Sequence, residues 1–168
     1  MDLAKAEASV TGVDFSEKML AVARGKADGL EARFVEGTLE SIPLQEPFDL
    51  VVCSLVLNHV ENLLPCFREM SRLLRPDGRI IVTDLRSSFW SRKRKVIPLF
   101  HGLATDSFRH TLADYKAATC AAGLCLKQRR GIRFDREIIA KYPGYLHLWL
   151  LSAGYAFDIR KADAPEPC

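Results

Sequence analysis

At 168 residues, with 24 Lys and Arg against 21 Asp and Glu, 48% hydrophobic residues and a net charge of +3, the chain has the size and balance of one ordinary globular domain. Such a length buries enough apolar surface to need no covalent staple. The five cysteines (Cys53, Cys66, Cys120, Cys125, Cys168), odd in number and without a C-x-x-C pair, fit neither a disulfide framework nor a zinc ribbon. No run of about 18 apolar residues and no basic-then-apolar leader occurs, so a spanning helix is not expected and a cytoplasmic location is.

Taken in order, the elements alternate between strand and helix. Ser9 to Asp14 is a short β-branched run that closes on an acid. Ser16 is the N-cap expected for a helix through Met19, Leu20, Val22 and Ala23, ending before Gly25. Ala32 to Glu36 reads as a second strand, with Gly37 as its turn. Asp49 to Ser54 is a continuous apolar run, the pattern of a parallel strand covered on both faces, and Val10–Val13 and Leu50–Cys53 are expected among the most buried strands.

Leu63, Phe67, Met70 and Leu74 recur at helical spacing, with Pro65 tolerable in the first turn. Arg75-Pro76-Asp77-Gly78 should stop that helix and turn the chain into the strand Arg79 to Asp84. Thr111 and Asp114 form a T-x-x-D capping box for a helix over Leu112–Ala122, which Gly123 ends. Leu124 to Arg129 and Tyr145 to Phe157 are the last strand candidates, and one domain is expected over 1–161, followed by a tail at 162–168.

Charge is divided unevenly. Residues 1–84 hold 9 basic and 14 acidic side chains, residues 85–168 hold 15 and 7. The basic half contains Arg86 with Arg92 to Lys95, and Lys127, Arg129, Arg130, Arg133 and Arg136. Interleaved aromatics of a single-strand platform are missing, so nucleic acid is disfavoured against a solvated face or an anionic small molecule.

The alternation predicts an α/β fold, a Rossmann-like doubly wound, mostly parallel sheet whose ligands sit at the carboxyl ends of the strands. That singles out Asp14-Phe15, Gly37-Thr38-Leu39, Ser54-Leu55 and Asp84-Leu85.

Four segments in fixed order carry a family resemblance: Val10-Thr11-Gly12-Val13-Asp14-Phe15-Ser16 to Leu20; Phe34-Val35-Glu36-Gly37 leading to Ile42-Pro43; Phe48 to Cys53 with Leu57-Asn58-His59-Val60; and Arg72-Leu73-Leu74-Arg75-Pro76-Asp77-Gly78. From about Ser9 to Ala122 the chain resembles the class I S-adenosylmethionine-dependent methyltransferases that modify small molecules. The resemblance implies S-adenosyl-L-methionine as cofactor, with Asp14 on the ribose hydroxyls, Phe15 beside it, Met19 against the adenine and Thr38 and Leu39 at the adenine edge. Thr38 departs from the acid common there. Ser54 and Leu55 would line the methyl donor, and Asn58 and His59 would open the next helix. His59, His110 and Tyr115 are the candidate catalytic residues, Ser87 to Arg109 the substrate-fitting segment, and no metal is implied.

The family's first strand and glycine-rich loop have no counterpart, since no G-x-G-x-G string occurs. By resemblance that strand lies between those ending at Asp14 and Ser54. Impaired methyl transfer is therefore expected of this chain, which reads as an N-terminally incomplete, truncated version of a complete enzyme rather than one in which the two strands close up or self-association or a partner fills the gap; a non-catalytic methyltransferase-like partner protein is the alternative function. A nicotinamide dehydrogenase, which also uses a strand-ending acid, is disfavoured by Arg72 to Gly78.

Overall fold

The computed structural model describes residues 8–85, 108–133, 140 and 154–162. They belong to two compact units, residues 1–46 and residues 47–168.

In the first unit, β1 (Val10–Asp14) and β2 (Ala32–Glu36) pair in parallel, Val10 with Ala32 through Asp14 with Glu36. The crossover is α1 (Glu17–Lys26), where Ser16 Oγ accepts from the Met19 N–H as the expected cap. Leu20 alone of the helix is buried, while Met19 and Val22 are exposed and Gly25 lies within it.

The second unit holds β3 (Phe48–Ser54), a single 3-10 turn at Leu57–His59, α2 (Leu63–Arg72), β4 (Leu74–Leu85), α3 (Leu112–Ala121), β5 (Leu124–Ile132) and β6 (Gly154–Lys161). Its strands run in the order β3-β4-β6-β5. β3 and β4 are parallel and β6 is antiparallel to both its neighbours, so β6 alone runs against the others. Asn62 caps α2, whose Leu63, Phe67 and Met70 are buried as the spacing predicts, and the capping box of Thr111 and Asp114 is formed at α3. Phe67, Met70, Ile80, Val82, Leu124, Phe157 and Ile159 make the centre of the core.

Three expectations need correction. Val10–Val13 and Leu50–Cys53 are not the most buried strands: β1 is half-buried throughout, and in β3 only Cys53 is buried, with Leu50 39% and Val52 51% exposed. Among the described strands β1 pairs only with β2 and β3 only with β4, so each ends its sheet and lacks cover on one side. Arg75 to Gly78 is not a turn between elements but lies inside β4, as an irregularity between the pairs Phe48–Leu74 and Leu50–Arg79. Asn58 and His59 occupy the isolated 3-10 turn, not a helix start.

The final strand starts at Gly154, and residues 145–153 lie outside the described residues, as does most of the substrate-fitting segment. Cys53 and Cys66 are buried, with Cys66 Sγ 3.7 Å from the Asn62 carbonyl, whereas Cys120 is disulfide-bonded, a bridge the odd cysteine count did not suggest.

Candidate functional site

In the first unit the parallel pairing brings the carboxyl ends of β1 and β2 side by side. Asp14 closes β1, and its Oδ1 accepts from the Ser16 N–H at 2.8 Å. Its Oδ2 accepts no hydrogen bond among the described residues, which leaves one carboxylate oxygen for a ligand hydroxyl. Phe15 is 76% exposed and Met19 57%, so two large apolar side chains stand in water close to that acid in sequence. Across the pair, the Gly37 N–H donates to the Asp14 carbonyl at 3.1 Å. Thr38 then bridges to Ser41, exposed, with Leu39 half-buried beside it. Glycine is needed at 37: a Cβ there would stand 2.5 Å from Pro43 Cδ and 3.3 Å from Val13 Cγ1.

In the second unit β3 and β4 end together. The Ser54 and Thr83 hydroxyls are 2.7 Å apart, and the Leu55 N–H donates to the Thr83 carbonyl at 2.8 Å. Leu55 takes φ of 57°, the left-handed region that costs a side-chain-bearing residue energy, and is 52% exposed. A strained apolar residue at a strand's carboxyl end is the kind of outlier found where ligands bind. The sequence marks Leu55 by position; the strain has no sequence signal.

Asp84, one residue beyond Thr83, is buried, and the Tyr115 hydroxyl donates to its Oδ2 at 2.5 Å. Burial, with the Asp84 charge and hydrogen bond adding to it, pushes the Tyr115 phenol well above its ordinary value. Burial likewise raises the Cys53 thiol to about 12, helped by the Asp84 and Cys66 charges. Both groups are neutral over the physiological range and neither is a ready proton acceptor. His110 stands edge-on to Tyr115 with ring centroids 6.0 Å apart, and its Nε2 is 2.7 Å from the Val60 carbonyl. A carbonyl can only accept, so Nε2 carries hydrogen, and in the neutral ring Nδ1 remains an acceptor. His59 is exposed, with Nε2 3.4 Å from Asn58 Nδ2.

Asn58 is buried and its Oδ1 has no hydrogen-bond partner among the described residues. Sequence reasoning gave it no separate role. Among the described residues no group of three or more His, Cys, Asp or Glu stands together to hold a metal ion.

Each unit thus offers strand ends of its own. The first offers a carboxylate oxygen that accepts no hydrogen bond among the described residues, and exposed apolar side chains. The second offers a hydroxyl pair, a strained leucine and a buried acid–phenol pair.

Residues 1–82 match the family model described as a methyltransferase domain. Similar relatives include a demethylmenaquinone methyltransferase of Bacillus mycoides, 26% identical over 143 residues covering 76% of this chain and 60% of that protein. Another, of Bacillus cereus, is 28% identical over 115 residues, covering 61% and 48%. The chain therefore spans about half to three fifths of the length of these relatives. Among solved structures, an S-adenosylmethionine-dependent methyltransferase from Clostridium acetobutylicum superposes with a TM-score of 0.75 at 13% identity, over 96% of this chain and 78% of the other. One from Mesorhizobium loti gives 0.72 at 21% identity, over 92% and 81%.

Proposed function

We propose that this chain, whose residues 1–82 carry a methyltransferase domain on the class I methyltransferase fold, takes part in methyl transfer from S-adenosylmethionine to a small-molecule acceptor. The observation that carries the proposal is Asp14 at the end of β1, with one oxygen engaged by Ser16 and the other open, next to the exposed Phe15 and Met19. A carboxylate so placed accepts from ribose hydroxyls, and the apolar pair covers a purine face. Thr38 and Leu39 take the adenine edge, while Ser54 and Leu55 face the methyl donor. When bound, the cofactor supplies an electrophilic methyl group; the chain's task is to align the acceptor with it, an effect worth on the order of 7–11 kcal/mol in favourable cases.

His59 and His110 are the groups suited to holding an acceptor's proton, His110 through Nδ1, and Tyr115 positions through Asp84. The relatives named for demethylmenaquinone suggest an apolar, quinone-type acceptor. For the 168 residues alone transfer is weak, because they contain no glycine-rich loop to offer backbone amides to the cofactor's amino-acid end.

Calorimetry with S-adenosylmethionine and with adenosine, alongside transfer of a labelled methyl group to a demethylated quinol, tests this. Adenosine and the full cofactor binding with similar affinity and slow transfer are expected. S-adenosylmethionine binding tenfold tighter than adenosine would mean that another segment replaces the loop. No binding of either would defeat the proposal in favour of a non-catalytic partner.

A further inference from the structure

The run Leu55-Val56-Leu57-Asn58-His59-Val60 after β3 is apolar except for Asn58 and His59, and of those two it is Asn58 that is buried. Asn58 is 7% exposed, set between Leu57 and Val60 of the core. Such a place favours an aliphatic side chain, because an amide taken out of water is costly unless both its oxygen and its NH2 group find partners. The fold does not supply them in full. The backbone carbonyl of Asn58 is used, accepting from the Phe108 N–H at 2.7 Å. In the side chain, Nδ2 lies 3.4 Å from His59 Nε2, at the long limit of a hydrogen bond, and Oδ1 has no hydrogen-bond partner among the described residues. Native structures leave few buried polar atoms in that state, and each calls for a reason.

The surroundings supply one. The turn carrying Asn58 follows the carboxyl end of β3 and is tied to the end of β4 by the Leu55 N–H on the Thr83 carbonyl. Leu55 and Val56, just before it, are 52% and 41% exposed, an apolar surface close in sequence to the buried amide. Two contacts lay residues 108–110 along the turn, the Phe108 N–H on the Asn58 carbonyl and His110 Nε2 on the Val60 carbonyl. His59, which meets the amide, is exposed, so Asn58 lies one side chain below solvent. Apolar surface with a few polar atoms that fix orientation is the composition of a small-molecule site.

We infer that Asn58 is a specificity-determining residue for the methyl acceptor: its Oδ1 takes the hydrogen of a hydroxyl carried on the acceptor's apolar ring. An amide oxygen can only accept, so the ligand must donate. A ring whose oxygen carries no hydrogen leaves Oδ1 orphaned and is discriminated against for that reason. The inference rests on the methyl-transfer reading in taking the methyl acceptor as the ligand.

The probes are 1-naphthol and 1-methoxynaphthalene, the same ring with and without a donor, titrated calorimetrically into the full chain. The native protein should bind the naphthol about fivefold to tenfold more tightly than the ether, the worth of one hydrogen bond to a buried acceptor. In Asn58→Leu, and in Asn58→Ala should the larger side chain disturb the fold, the two probes should bind within about twofold of each other. Far-UV circular dichroism establishes that the variants are folded. The ratio of the two affinities is a readout that a merely structural asparagine does not move. Equal affinity of the native protein for both probes overturns the inference; an amide turned with its NH2 group inward, or a water held at Oδ1, would give that result. So does binding of neither probe, or a preference that persists in the variants. No S-adenosylmethionine enters these titrations, so a missing cofactor affinity counts against the methyl-transfer reading and a missing probe preference against Asn58.

Discussion

The Tyr115 hydroxyl donates to Asp84 Oδ2 at 2.5 Å, tying the fourth residue after the cap of α3 to the carboxyl end of β4 across 31 residues of sequence. The tyrosine ring lies 4.9 Å from Phe157 and 6.4 Å from Phe67, so this polar contact is set in an aromatic wall. Tyr115→Phe keeps the wall and removes a donor to a buried acid. A loss of about 1.5–3 kcal/mol in denaturant unfolding is expected. An unchanged midpoint would mean that the pair does not stabilise the junction of α3 with the sheet.

Alkaline pH should destabilise the second unit. Cys53 is raised from 9.0 to about 12 in the folded chain, and Tyr115 is raised as well. A folded value above the unfolded one means that the native state holds the proton more tightly. The stabilisation is complete below the unfolded value and is lost as pH climbs through the folded one. For Cys53 that window runs from 9 to about 12, with a slope of about 1.4 kcal/mol per pH unit. Cys53→Val, similar in size, removes the thiol's share, so its stability should hold to higher pH than the native chain's. Urea midpoints at about pH 8, 9.5 and 11 would decide it, and parallel curves for the two proteins would refute the assignment.

Asp14→Ala removes the open acceptor without touching the strand. Adenosine and S-adenosylmethionine should both bind about tenfold to a hundredfold more weakly, the loss typical for a charged acceptor on a desolvated hydroxyl. Thr38→Ala should cost less, since its hydroxyl is neutral and exposed. Equal affinity of Asp14→Ala and the native chain would remove Asp14 from the site.

Gly78 has a local reason to be glycine. A Cβ would stand 2.7 Å from Leu74 Cδ1 and 3.0 Å from the Arg75 carbonyl, and Leu74 is 1% exposed, so it has nowhere to swing. Gly78→Ala should cost about 1–3 kcal/mol, as overpacking does in a filled core. Gly25→Ala, with nothing within 4 Å of the added carbon and a helical backbone, should instead be neutral or stabilising by several tenths of a kcal/mol to about 1. If thermal unfolding ranks the two variants the other way, the packing around β4 is not as described.

What the sequence made legible is what neighbours in sequence decide. Ser16 caps α1 and Thr111 boxes with Asp114 because the partners lie three residues apart. Asp14, Ser54 and Asp84 could be placed at strand ends because each apolar run stops there. The apolar runs of β1 and β3 overstated burial, since exposure of Leu50 and Val52 depends on which strand lies alongside, a non-local fact. Arg75-Pro76-Asp77-Gly78 has turn composition, yet the strand continues past it once β3 supplies pairing on both sides of the irregularity. The Tyr115–Asp84 bond and the burial of the orphaned Asn58 oxygen both depend on distant segments, and composition carries no trace of them.

Leu55 provides a test in which stability and function should move in opposite directions. Its φ of 57° is a conformation that glycine adopts freely and that costs a residue with a Cβ roughly 1–2 kcal/mol. The side chain is 52% exposed, so little packing is lost on its removal. Leu55→Gly should therefore stabilise the chain by up to about 1 kcal/mol, after allowing for the half-buried surface given up. Leu55→Ala keeps the strain, loses the same surface, and should be no more stable than the native chain. Both variants should weaken S-adenosylmethionine binding if the leucine is held in that conformation to face the methyl donor. Denaturant unfolding and calorimetry on the two variants separate the effects: Leu55→Gly less stable than Leu55→Ala would show that the backbone is not strained, and unaltered cofactor affinity in both would remove Leu55 from the site.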